Sequence, residues 1–294
     1  MLIQTSTTIA DALNAAQHRL AEAGVDDPRL DTRILLQHCL GVDHAELISM
    51  QNRALSDEEL ARYEAMIDRR AAREPVSRII GRRQFFGRWF EVNRDVLDPR
   101  PETELLVEAI LADYPAAAGA IRFADIGTGS GAIAISLLAE RENWTGVGTD
   151  ISSKALEIAA RNAAALGVDK RFRPFECDLT GGLEAPFDFI VSNPPYVESA
   201  QIGALSPEVR GHDPAMALDG GADGLEFYRV LLAQSAGLLA NDGRLYLEIG
   251  AGQASAVIAI AEETHWRSVR QVTDYGGHVR HLVFDRGGAV AFAS

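Results

Sequence analysis

Asn193-Pro194-Pro195-Tyr196 puts a side-chain amide, unpaired backbone carbonyls and an aromatic ring at one point of the chain. It follows an apolar run, Phe187-Asp188-Phe189-Ile190-Val191-Ser192, that reads as a buried strand. Two prolines cannot continue a sheet ladder, so the strand must break there. In open α/β sheets the carboxyl ends of the strands are where ligands bind. The Asn193 side-chain oxygen and the Pro194 carbonyl are the acceptors needed to grip a planar NH2 group.

A second constellation lies upstream. Ala124-Asp125-Ile126-Gly127-Thr128-Gly129-Ser130-Gly131 follows an apolar strand and opens a helix. Its glycines let the backbone turn tightly and pass close to a ligand, and the free N–H groups of the next helix can meet an anion. The spacing is GxGxG, not the dinucleotide GxGxxG, and no Walker-type lysine follows. Thr149-Asp150 ends the next strand about twenty residues on, where an acid can hold ribose hydroxyls. Asp150 could instead cap the helix after it, a task Ser152 or Ser153 can also perform. Asp178-Leu179 ends the third strand and could border an adenine ring.

These residues need elements to place them. From residue 102 the pattern predicts helices over 102–113, 130–141, 153–167, 223–240 and 253–264. It predicts strands over 122–127, 145–150, 171–177, 187–192, 244–249, 267–273 and 280–285. Such alternation implies a mainly parallel, doubly wound sheet, with a late antiparallel hairpin around Gly276-Gly277 at one edge. Residues 5–73 read as helical: Ile9, Leu13, Ala16 and Leu20 share a face, and a second helix spans Asp31 to Leu40, ended by Gly41. Ser56-Asp57-Glu58-Glu59 is a capping box that opens a helix to about Arg73, stopped by Pro75. Gln84 to Val92, aromatic with Gly87 in the middle, reads as a β-hairpin. The expected organisation is a helical domain over 1–82, a hairpin linker over 83–101 and an α/β domain over 102–294.

The 294 residues are 47% hydrophobic and 24% charged, which is ordinary for a soluble globular protein. No apolar stretch approaches a membrane span, and Met1-Leu2-Ile3-Gln4-Thr5 does not read as a signal peptide, so the expected location is the cytoplasm. Cys39 and Cys177 read as small thiols without a disulfide partner, and no metal site is expected. His278 and His281 fall in a turn and the strand after it, as structural or surface groups. The net charge of −14 argues against direct nucleic-acid binding. Residues 1–92 hold 14 acidic and 12 basic side chains, and the rest hold 28 and 16, so the acidity lies mainly in the second part and suits either solubility or a basic partner.

Together the glycine loop, Asp150 and the NPPY turn resemble the class I S-adenosylmethionine (SAM) methyltransferases that act on amino groups. Pro99-Arg100-Pro101-Glu102-Thr103-Glu104 further resembles the PRPxTE segment of the HemK/PrmC family. Pro75-Val76, Phe85-Phe86-Gly87, Asp213 to Leu218, Gly220 to Leu225 and Leu247 to Gly250 with Gln253 are also similar. Asp98 departs from the apolar residue that many relatives carry, and Leu179 from the aromatic that some carry. The resemblance implies a Rossmann-like, mostly parallel seven-stranded sheet and SAM as cofactor. It implies methyl transfer to the glutamine of the GGQ motif in class I peptide chain release factors. Runner-up substrates are a ribosomal-protein glutamine or a nucleic-acid exocyclic amine.

Under this resemblance Gly127, Thr128, Gly129, Ser130, Gly131, Asp150, Asp178, Leu179 and Asn193 bind the cofactor. Asn193, Pro194, Pro195, Tyr196 and Phe86 meet the substrate, and Asn193, Pro194 and Tyr196 serve the chemistry. Phe86 could equally be a packed hairpin residue, and the helical domain a docking surface or a plain stabilising cap. A monomer is expected.

Overall fold

The computed structural model describes residues 7–286. The first six residues, read above against a signal peptide and as the start of the helical stretch, and the last eight lie outside the described residues. The chain divides into two compact units. One runs to Arg82 and also takes in Ser206–His212; the other runs Arg83–Leu205 and resumes at Asp213.

The helical unit holds α1 (Ile9–Glu22), α2 (Pro28–Leu40), α3 (His44–Ser49), α4 (Asp57–Ala71) and α5 (Val76–Ile80). Capping boxes at Thr8, Asp43 and Ser56 start α1, α3 and α4, each pairing with an acid three residues on. Ile9, Leu20, Leu35, Leu36, Tyr63 and Ile67 form its core. Two expectations shift. α2 begins at Pro28, not Asp31, because the Asp27 side chain caps the Leu30 N–H at 3.0 Å and a proline at the first position has no N–H to waste. α4 ends at Ala71, with Arg73 in the left-handed region at φ 71°, and beyond Pro75 one more short helix forms before Gly81.

At the start of the second unit lie β1 (Arg82–Phe85), whose first residue still counts with the helical unit, and β2 (Arg88–Glu91), joined through Phe86 and Gly87. Both turn residues have positive φ, 47° and 72°, as a two-residue hairpin of right-handed twist requires. There follow α6 (Pro101–Asp113), β3 (Ile121–Ile126), α7 (Ala132–Glu140), β4 (Trp144–Asp150), α8 (Ser153–Ala165), β5 (Phe172–Glu176) and β6 (Phe187–Ser192). After α9 (Pro207–His212), which belongs with the helical unit, come α10 (Glu226–Ser235), β7 (Leu239–Glu248), α11 (Ala254–Glu263), β8 (Trp266–Thr273) and β9 (Val279–Arg286).

The seven-stranded sheet has the order β5-β4-β3-β6-β7-β9-β8, and β9 runs opposite to the other six. Successive residues of its central strands feed two cores. Phe123, Phe189 and Val191 pack with α6, α7 and α8, while Ala124 and Ile190 pack with α10 and α11. Phe123 and Phe189 stack across the strands at 4.8 Å between centroids. The helix expected over 223–240 is shorter, because Leu239 and Ala240 instead start β7, which carries an irregularity opposite β6 before regular pairing resumes at Arg244. α7 begins at Ala132, not at 130, because Gly131 sits at φ 80°, outside the helical region.

Within the helical unit, Glu208 of α9 accepts from Arg70 at 3.1 Å and from Arg73 at 2.9 Å. Arg70, nearly buried, also donates to Asp31 at 2.7 Å. Ser206–His212 is thus fastened to helices that precede it by more than a hundred residues.

Candidate active site

The order of β5, β4, β3 and β6 lines up four strand ends along one rim: Asp178-Leu179, Asp150, the glycine loop and Asn193. Strand order reverses about β3, the switch point at which such sheets bind ligands. A cavity of about 270 Å³ opens there. Of the residues singled out from the sequence it brings together Gly127, Gly129, Asp150, Asp178, Leu179, Asn193, Pro194 and Pro195. Thr128, Ser130, Gly131, Tyr196 and Phe86 are not in its lining.

The glycine loop is held from beneath. The Thr128 hydroxyl turns inward and donates to Asp125 Oδ2 at 2.7 Å, which also accepts the Ala134 N–H at 3.3 Å. The Ser130 carbonyl accepts from Asn162 Nδ2 at 2.9 Å. Gly131 needs its lack of a side chain twice, once for its positive φ and once because a Cβ would lie 2.4 Å from Ile135 Cδ1. At Gly127 and Gly129 a Cβ would meet no described protein atom within 4 Å, so it would protrude into free space at a wall of the cavity.

Asp150 spans loop and strand. Its Oδ2 accepts the Gly129 N–H at 3.0 Å and its Oδ1 the Ser152 N–H at 2.9 Å. Burial raises its pKa against these bonds. The cap of α8 is Ser152, whose hydroxyl accepts the Ala155 N–H, so Asp150 is not needed for that purpose.

Asp125 is 1% exposed, and burial lifts its carboxyl to about 7 despite the Thr128 hydroxyl and the Ala134 N–H. A carboxyl raised by folding contributes its full stability below its unfolded value near 3.8 and loses that contribution as pH climbs through about 7. Asp125→Asn retains an acceptor for Thr128 and carries no charge. Its stability relative to the parent should rise between pH 5 and 8, by roughly 2–4 kcal/mol. Urea midpoints at the two pH values check this, and a difference that does not change with pH would contradict it.

The NPPY turn is clamped on its far side. Gln253 Nε2 donates to the Tyr196 carbonyl at 3.0 Å and to the Gly224 carbonyl at 3.2 Å, while its Oε1 accepts the Gly250 N–H at 2.9 Å. Val197 exchanges backbone bonds with Leu218 and Gly220. Tyr196 packs into the core under α10 and α11, and burial raises its pKa. Phe86 packs against the other core, its N–H donating to Glu104 Oε1 at 3.0 Å. Asn193 and Pro194 line the cavity, and the Asn193 Oδ1 and the Pro194 carbonyl accept no hydrogen bond among the described residues. Asn193 Nδ2 donates to Thr103 Oγ1 at 3.2 Å.

Sequence reasoning missed part of the lining. Val96, Leu97, Ile151, Ala155, Met216 and Phe227 supply an apolar surface. Ile151 follows Asp150 directly, and Met216 lies in the segment Asp213 to Leu218, so both had a local signal; Val96 and Phe227 had none. The two histidines part company: His278 is exposed in its turn, while His281 in β9 is fully buried 3.5 Å from Glu248. Cys39 is buried and Cys177 half-buried, both as free thiols.

Residues 11–81 match the PrmC N-terminal domain and residues 94–206 the methyltransferase small domain. The release factor glutamine methyltransferase of Agrobacterium fabrum is 42% identical over 282 residues, 95% of this chain and 98% of the relative. That of Cereibacter sphaeroides is 46% identical over 271 residues, 92% and 96% respectively. Among solved structures, a methyltransferase from Pyrococcus furiosus superposes with a TM-score of 0.53 at 19% identity, over 78% of this chain and 99% of that one, a likeness of fold. The sheet is that of the class I SAM-dependent methyltransferases. With both domain matches in order and identity sustained along nearly its whole length, the chain belongs to the release factor glutamine methyltransferase family.

Proposed function

We propose that this chain transfers a methyl group from SAM to the side-chain amide nitrogen of a glutamine, the one in the GGQ motif of class I peptide chain release factors. The observation that carries the reading is the pairing of two acceptors without a partner among the described residues, Asn193 Oδ1 and the Pro194 carbonyl, with the glycine loop and Asp150 along the same cavity. The relatives at 42% and 46% identity carry that activity in their names.

The site suits SAM. The bare glycine backbone at Gly127 and Gly129 leaves room that a Cβ would fill, Asp150 offers a carboxylate for ribose hydroxyls, and Ile151 and Leu179 offer apolar contact for a flat ring. Bound there, SAM supplies a methyl group made electrophilic by its sulfonium. Asn193 Oδ1 and the Pro194 carbonyl each accept one N–H of the glutamine amide. An amide nitrogen is a poor nucleophile because its lone pair is shared with the carbonyl. Two fixed acceptors hold that nitrogen in place and strengthen their bonds as positive charge grows on it. The gain from such placement is as much as ~7–11 kcal/mol. Tyr196 contributes through its backbone, anchored by Gln253, while its ring packs into the core beneath the turn. The proton leaves to water once the nitrogen is alkylated, so the site needs no strong base. The excess of acidic groups beyond residue 92 suits a basic protein partner and not a nucleic-acid backbone.

We assign the helical unit to docking of the release factor, since a protein substrate needs contacts beyond one side chain. The protein would act as a monomer in the cytoplasm; among the described residues no helix is long and apolar enough to cross a membrane. Removing residues 1–73 should raise KM for the intact factor at least about tenfold while SAM still binds. An unchanged KM in a stable enzyme would leave that unit as a stabilising cap. The overall reading is tested by incubating the protein with labelled SAM and purified release factors, ribosomes and DNA, then mapping the labelled residue. Label confined to the GGQ glutamine is the expected result, and label on a base or a ribosomal protein would replace the substrate assignment.

A further inference from the structure

The first turn of α6 reaches both the hairpin and the NPPY turn. Its Glu104 accepts the Phe86 N–H at 3.0 Å, and its Thr103 accepts the Asn193 Nδ2–H at 3.2 Å, ninety residues away in sequence. Arg100, at the N-cap position of the same helix, donates to Asp213 at 2.6 Å, at the start of the segment that brings Met216 to the cavity. Of these contacts, the one from Thr103 touches the group on which the chemistry depends. Thr103 itself is 5% exposed and does not line the cavity.

An asparagine amide has two ends of nearly the same shape and opposite polarity. Turned one way, Asn193 offers an oxygen to the substrate NH2. Turned the other way, it offers hydrogens to hydrogens, and both groups lose a bond. We propose that Thr103 is a positioning residue: by accepting from the NH2 end, its buried hydroxyl lets the Asn193 oxygen face the substrate with neither end of the amide left unpaired. This rests on the reading of Asn193 as an acceptor for the glutamine amide. The Thr103 hydroxyl satisfies the end that the substrate cannot satisfy. A valine of equal shape satisfies neither end, so the NH2 turns to the cavity and its water. Substrate must then bind against the wrong polarity or force the flip at the cost of an orphaned N–H.

The test is a double-mutant cycle of Thr103→Val with Asn193→Ala, with Thr103→Ser as the conservative variant and Thr103→Ala as a second truncation. Turnover on purified release factor and SAM affinity are read for each. Thr103→Val should lower kcat by about tenfold or more, leave SAM affinity unchanged, and add nothing in the Asn193→Ala background, because the group it positions is gone. Thr103→Ser, which retains the hydroxyl, should restore turnover to within about threefold of the parent. Equal losses in both backgrounds, or loss of SAM binding in both the Val and Ala variants, would assign Thr103 a structural role and overturn the proposal. A costly Asn193→Ala beside a harmless Thr103→Val overturns the role of Thr103 alone. A harmless Asn193→Ala removes the acceptor reading and this inference with it.

Discussion

Replacing Asn193 with alanine should lower kcat by about two to three orders of magnitude and leave SAM affinity within about twofold. The size follows from where the group acts. Asn193 lines the cavity and its Oδ1 has no partner among the described residues, so it is free to accept from the amide that is becoming positive. A hydrogen bond that strengthens in the transition state lowers the barrier, whereas one that is equally strong before and after only tightens binding. The small effect on SAM has its own basis. The glycine loop is secured by Asp125, Thr128 and Asn162, and Asp150 by the Gly129 and Ser152 N–H groups, none of which involves Asn193. Single-turnover methylation of release factor, beside calorimetric titration with SAM, separates the two quantities. Turnover within threefold of the parent would remove Asn193 from the chemistry.

Gly224→Ala should cost about 3 kcal/mol or more of stability and a large part of the activity, although residue 224 does not line the cavity. Gly224 has φ 70°, and a Cβ there would stand 2.5 Å from the Tyr196 carbonyl oxygen and 2.8 Å from Gln253 Nε2. Neither neighbour can give way cheaply, because the two are bonded to each other at 3.0 Å and the carbonyl is main chain. Relief requires moving the NPPY turn or breaking the Gln253 clamp, and either displaces Asn193 and Pro194 from the rim. Gly203→Ala is the matching control. That glycine is exposed, lacks a positive φ and has no described atom within 4 Å of a would-be Cβ, so its effect should stay within about 0.5 kcal/mol. Urea unfolding of both variants, with turnover at saturating SAM, makes the comparison. Equal and small effects would contradict the clamp.

Signals confined to a few neighbouring residues were readable. The apolar run before Asn193 and the prolines after it announce a buried strand that must stop, and β6 ends at Ser192. The Ser56 capping box is seen as read, with Glu59 at its third position. Where two local signals compete, reading fails. Residues 239–240 fit either the tail of α10 or the head of β7, and pairing with β6 decides for the strand. Gly131 could be counted into α7 from its pattern, but its left-handed φ places it before the helix.

The sequence alone determined the chemistry on offer: an amide and a freed carbonyl at one strand end, a bare backbone loop at another and an acid at a third. These follow from steric and hydrogen-bonding rules that act within a few residues. Tertiary structure alone decided who holds each group. Thr103 reaches Asn193, Gln253 reaches Tyr196 and Glu208 reaches Arg70 because strand order and helix packing bring together residues 57 to 138 positions apart. Burial of Asp125 likewise depends on the helices laid over β3, so its raised pKa is a property of the packed sheet and not of the motif.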